Sequence, residues 1–295
     1  MRKIILVVTS VYTLGFLSPG YSDRGLLPLN PNVQIFEPNQ RAMIAWNGEE
    51  EILLLSTDLH ASDSTILLEV LPLPAEPAVK KGDIKTFQKA TALINSKLAS
   101  SAGLSKRNGE GAKEAVPGGE VTFHKKIGAH DISVTRLING AKFVDWVAKY
   151  LKSLGVEKNI ISAEMQELIE EYIADGFIWF VFDLVSLTEE FVTNEPIQYQ
   201  FKSESLFYPL KITKTGEGYT LIDLLILTPR LLRNFPDLPI HRVHLKHDPI
   251  TISNIELKEL NEDMYNLLGR LKEMKLRIWQ VEGSLSSFDE DLIAY

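Results

Sequence analysis

The sequence predicts an α+β fold of mixed, largely antiparallel sheets with about four helices packed against them. Three observations lead there. Runs with strand periodicity crowd residues 33–71 and return in the last third of the chain, rather than alternating one by one with helices as in βαβ proteins. Asn47-Gly48 between two apolar runs is a hairpin turn, because both residues tolerate positive φ. Phe177-Ile-Trp-Phe-Val-Phe-Asp183 is continuously apolar at strand length, which suits a central strand covered on both faces.

The elements follow in order. Met1-Arg2-Lys3 is basic, Ile4 through Leu17 is mostly apolar, and Ser18-Pro-Gly-Tyr-Ser22 breaks the pattern with small residues. This is the three-part layout of a secretory signal peptide, too short for a spanning helix of roughly 20 apolar residues. A leader over 1–22, cleaved after Ser22, is expected. Strands are predicted at Val33–Phe36, Gln40–Trp46, Glu51–Thr57 and Thr65–Leu71, the last stopped by Pro72-Leu-Pro74 because proline cannot donate to a ladder. Asp83 caps a helix from Ile84 to about Leu98, with Phe87, Ala90, Leu93, Ile94 and Leu98 on one face.

Residues 99–119 are Ser, Gly, Asn, Lys and Glu with little apolar weight, so a flexible loop is expected there. Glu120–Lys126 and Ala129–Leu137 predict a hairpin turning at Ile127-Gly128. Ala141–Leu154 is an amphipathic helix, and a second opens at Ser162 and closes at Gly176. The last third predicts strands at Ile197–Lys202, Leu206–Thr213, Tyr219–Leu227, Ile240–Lys246 and Leu276–Val281, with one helix over Ile255–Lys272. The resulting parts are 23–98, the loop 99–119, and 120–295, the last either separate from the first or continuous with it.

Bulk numbers remove several function classes. The 295 residues carry a formal net charge of −8 and no long Lys/Arg block, which disfavours a nucleic-acid partner. There is no cysteine, so thiol nucleophiles, Cys-ligated metals and disulfides are absent. Neither Gly-x-Gly-x-x-Gly nor a P-loop occurs, and no Ser sits in a Gly-x-Ser-x-Gly context. Glu49-Glu-Glu51 and Asp289-Glu-Asp291 read as solvated turns. Trp46, Trp146, Trp179 and Trp279 sit in apolar patterns and read as core.

Histidine supplies the remaining candidates. His241, His244 and His247 lie three apart, followed by Asp248, between Pro239 and Pro249. Zinc needs imidazoles converging at about 2.1 Å. On a strand, His241 and His247 share one face about 20 Å apart while His244 points the other way, so the run alone makes no chelate. His247 and Asp248 stay as metal candidates only with help from elsewhere. A turn at Ile127-Gly128 would set His124 across from Asp131, a His–acid pair able to orient a base or hold a metal. His124, His130 and Asp131 are therefore the catalytic candidates.

Several stretches carry a family resemblance. They are Phe36-Glu-Pro-Asn-Gln-Arg-Ala-Met-Ile-Ala-Trp-Asn-Gly48, Glu51–Thr57, Leu68-Glu-Val-Leu-Pro-Leu-Pro-Ala-Glu-Pro77, Glu120–Ile132, Glu170–Asp183 and Tyr208-Pro-Leu-Lys-Ile212. Together they resemble the DUF2330 family of uncharacterised exported proteins, above all its archaeal-type members. The resemblance implies export and carries no assigned activity. Some members carry a C-terminal membrane segment, which this chain is expected to lack.

The expectation is thus a secreted or extracytoplasmic protein that binds or scaffolds an envelope protein or ligand without catalysis and without a cofactor. Its membrane contact is limited to an uncleaved N-terminal segment. The alternative is a hydrolase dependent on zinc or another divalent metal, using His124, His130, Asp131 and His247.

Overall fold

A computed structural model describes residues 25–30, 33, 35–101, 124–137, 140–153, 161–189, 192–193, 195–216, 218–232, 238–239, 242–269 and 273–295. The expected leader and most of the expected 99–119 loop lie outside the described residues. The architecture is α+β.

Four strands open the described chain: β1 (Gly25–Pro28), β2 (Ile35–Trp46), β3 (Glu50–Ala61) and β4 (Thr65–Leu73), followed by the short β5 (Ala78–Lys81). β2 and β3 form the expected hairpin. Gly48 takes φ 106°, and Asn47 Oδ1 accepts from the N–H groups of Glu49 and Glu50 at 2.8 Å each. The two predicted strands 33–36 and 40–46 are one strand, with a register shift between Phe36 and Asn39 that accommodates Pro38. β4 also runs farther than expected, through Pro72. On its β8 side the ladder continues past the proline, with Pro72 opposite Phe180 and Leu73 opposite Trp179.

Helix α1 (Lys85–Ser101) starts where Asp83 Oδ1 accepts from Lys85 N at 2.9 Å, and it runs three residues into the expected loop. Then come β6 (His124–Ile127), β7 (His130–Arg136), α2 (Gly140–Ser153), α3 (Ala163–Ala174) and β8 (Trp179–Leu187). Ser162 caps α3 through Met165 N. The chain closes with β9 (Val192–Thr193), β10 (Ile197–Lys202), β11 (Leu206–Tyr208), β12 (Tyr219–Thr228), β13 (Val243–Leu245), β14 (Ile250–Ser253), α4 (Asn254–Leu260), α5 (Glu262–Leu268), β15 (Glu273–Ser284) and β16 (Leu292–Ala294). The strand expected over Leu206–Thr213 ends at Tyr208, and Lys211–Thr215 forms a 3-10 turn instead.

Two main sheets result. One is five-stranded in the order β1-β4-β8-β7-β6, antiparallel throughout. The other runs β13-β15-β12-β2-β3-β10-β5, with β14 added on β15 and β9 on β3; its one parallel pair is β12 with β2. Strand alternation sorts the side chains into layers. Ala42, Ile44, Leu53, Leu55 and Ile222 of the large sheet meet Leu71, Leu73, Ile132 and Val181 of the small one in a shared core. The outer face of the small sheet packs Phe180 and Phe182 on Phe143, Val147, Met165 and Ile169 of α2 and α3. The outer face of the large sheet packs Met43, Leu225 and Leu276 on α1, α4 and α5. The stack is helices, sheet, sheet, helices, with β8 central as its apolar run predicts. Among the described residues no helix is long and apolar enough to cross a membrane.

Candidate functional site

The β6–β7 hairpin turns one residue later than expected. Gly128 (φ 60°) and Ala129 form the turn, so Ile127 faces His130, Lys126 faces Asp131 and His124 faces Ser133. The expected His124–Asp131 pair is therefore not formed by this register. A one-residue displacement of the turn moves every partner by two residues along the opposite strand.

His130 instead points inward. Alternation on β8 sends Phe180, Phe182 and Leu184 to the helices, and Val181, Asp183 and Val185 toward the other sheet. There His130 Nδ1 meets Asp183 Oδ2 at 2.6 Å, with His130 3% and Asp183 1% exposed. The carboxylate accepts, so Nδ1 carries the hydrogen. Glu69, also buried, stands directly across from Asp183 in the β4–β8 pair. Two carboxyl groups and one imidazole are thus buried on the same side of the small sheet. An imidazole–carboxylate pair of this geometry could orient a general base. Here the pair is buried between the two sheets.

Neither His244 nor His247 joins it. His244 faces Gln280 across the β13–β15 pair and bonds Glu282 Oε1 at 2.8 Å on the open surface. His247 lies beyond β13, its Nδ1 donating to the Asp248 carbonyl at 2.8 Å, and Asp248 itself is exposed. The placement of His241 and the side chain of His124 lie outside the described residues. Among the described residues no three His, Asp or Glu side chains converge as a metal site.

Burial of charge is more extensive than the sequence suggested. Glu51, read as a turn residue, is fully buried; its Oε2 accepts from Phe207 N at 2.8 Å. Burial pushes its carboxyl well above the ordinary value, and the Phe207 N–H opposes this. Asp291, read the same way, accepts on Oδ1 from Tyr172 Oη at 2.8 Å, Leu210 N at 2.9 Å and Lys211 N at 2.8 Å. Burial nevertheless raises it to about 6. Asp183, Glu69 and Arg277 were missed as well. For Glu69 and Asp183 the signal was available: each is a charged residue inside an otherwise apolar strand, and such a group needs a partner when buried, whereas Arg277 sits among the polar residues of β15. The tryptophan reading fares better, since Trp46 and Trp279 are buried in the shared core.

A profile of the family described as "Uncharacterized protein conserved in bacteria (DUF2330)" matches residues 25–237. The chain belongs to the DUF2330 family. That match spans β1 through β12 of the described elements and so includes the His130–Asp183 pair. No curated protein matches this DUF2330 chain. Among solved structures, the baculovirus P35 crystal structure is similar at 10% identity over 91% of this chain and 98% of that one, with a TM-score of 0.43. A mutated baculovirus P35 after caspase cleavage gives 10% identity, 87% and 98% coverage and a TM-score of 0.43. The caspase-8/P35 complex gives 9%, 87%, 95% and 0.44. Similarity at this level assigns no function to the DUF2330 chain.

Proposed function

We propose that the chain is an exported protein of the cell envelope that binds or scaffolds a partner rather than catalysing a reaction. The observation that carries this reading is the sealing of His130 and Asp183 between the two sheets. Of the two imidazole–carboxylate pairs among the described residues it is the buried one, and it serves the sheet interface, while His244–Glu282 lies on the open surface with no third His, Asp or Glu converging on it. The leader-like Met1–Ser22 supports export, and the net charge of −8 favours a partner other than nucleic acid.

The test is to express the full chain in a bacterial host, fractionate the cells, sequence the N-terminus and measure bound metal. The expected result is extracytoplasmic material starting at residue 23 with no stoichiometric metal. Cytoplasmic material with Met1 intact would overturn the export reading. One equivalent of zinc or another divalent metal, lost on His130→Ala or His247→Ala, would overturn the non-catalytic reading in favour of a metal-dependent hydrolase.

A further inference from the structure

Arg277 heads the fully buried side chains by size and is 1% exposed, on the inner face of β15. Its Nη1 donates to Thr228 Oγ1 at 3.0 Å and to the Lys275 carbonyl at 3.3 Å. The guanidinium carbon lies 5.1 Å from the centre of the Trp279 ring. Nε and Nη2 are buried and have no hydrogen-bond partner. Those two nitrogens run along one edge of the guanidinium and aim their N–H groups in parallel, the geometry that clasps a two-oxygen anion. Burial brings the group down to about 10, so it remains a cation at neutral pH. A buried cation with an open fork is costly unless an anion meets it.

The neighbouring sheet edge is built to admit one. β13 pairs as far as Leu245 opposite Trp279, and β14 resumes with Ile250 opposite Leu276. Between these points four residues, Lys246–Pro249, stand against only Arg277 and Ile278; Lys246 N still donates to the Ile278 carbonyl at 3.1 Å, so the surplus residues His247–Pro249 bow away from β15. His247 lies on that segment. Its Nδ1 is committed to the Asp248 carbonyl, and its Nε2 is buried without a partner. Leu245, 49% exposed, shares a face with Trp279 by cross-strand pairing.

We propose that the bowed edge beside Arg277 is a carboxylate-binding site for a small organic acid. Its carboxylate spans Arg277 Nε and Nη2, its apolar part lies along Trp279 and Leu245, and His247 supplies the second polar contact. The site is independent of the export and scaffolding reading, and it lies beyond the segment matched by the family profile.

Titration of the full-length chain with acetate and benzoate at fixed ionic strength tests this, read by the melting temperature and by the Arg277 Nε–H signal in 1H–15N spectra. Both acids are expected to raise the melting temperature saturably, benzoate at lower concentration, and to shift the Nε–H signal. Arg277→Gln should lose the melting response, and His247→Ala, at an edge position, should weaken it several-fold. Should the glutamine variant not fold, the Nε–H signal of the unaltered chain decides. An unmoved Nε–H signal, an equal gain in Arg277→Gln, or an equal shift with chloride or inorganic phosphate overturns the assignment.

Discussion

Asp291 ties three parts of the chain to one oxygen: Tyr172 from α3, and the backbone of Leu210 and Lys211 leading into the 3-10 turn. Its ordinary value of 3.8 is raised to about 6 by burial. The folded state therefore holds this proton more tightly than the unfolded state does. The stabilising contribution is complete below pH 3.8 and is lost as pH rises through 6. The loss amounts to about 3 kcal/mol, from ~1.4 kcal/mol per pH unit. Urea denaturation across this range should show stability falling with pH, and Asp291→Asn should flatten the fall. Glu51 is raised in the same direction, so Glu51→Gln should cost little near neutral pH while keeping the bond from Phe207 N. Removing one partner of the His130–Asp183 pair is different, because it takes the acceptor away from a buried imidazole N–H. Asp183→Ala should lower unfolding stability by ~1–3 kcal/mol in denaturant titrations. These groups were poorly legible in the sequence, for a definite reason. Glu51 and Asp291 sit in acidic runs that look solvated, and burial depends on strands contributed from far along the chain. His130 was visible as a candidate without a partner; the pair sought in the hairpin was His124 with Asp131, which the one-residue turn shift undoes, while the acid that meets His130 comes from β8.

Periodicity located most elements and failed where a local polar group overrode it. Leu257, Leu260, Met264, Leu267 and Leu268 keep helical spacing, which predicts one helix across them. Asn261 instead adopts φ −160° and ψ 123°, ends α4, and caps α5 by accepting from Asp263 N and Met264 N. Its Nδ2 donates to Thr86 Oγ1, pinning this corner to α1. Asn261→Ala should cost ~1 kcal/mol of stability by loss of the cap. Thermal denaturation checks this, and an unchanged melting temperature would contradict the capping role. The short strands β5, β14 and β16 escaped the sequence reading because three or four residues carry no measurable alternation. In contrast the hairpin at Asn47-Gly48, the Ser162 cap and the β8 run were each legible, since the chemistry that builds them lies within a few residues.

Neither sheet belongs to one half of the sequence. β1 and β4 pair into the small sheet with β7 and β8, while β2 and β3 pair into the large one with β10 and β12. Residues before and after 102–123 thus build both sheets together. Fragments 23–101 and 124–295 expressed separately should each fail to give a cooperative transition, whereas the whole chain should unfold in one step by circular dichroism. A fragment that melts cooperatively alone would show an independent unit. This mutual dependence could not be read from the sequence, because strand order is set by which long-range pairings bury the most apolar surface.

The position of β15 governs how the chain comes into being. Residues 273–284 follow both β12 and β13 in the chain, yet β15 sits between them in the large sheet. On the ribosome, β12 therefore waits for its antiparallel neighbour until synthesis has passed residue 284, and β13 has no place in the sheet before then. The nascent polypeptide stays open to chaperones throughout that interval, and the large sheet locks only when β15 is threaded into place.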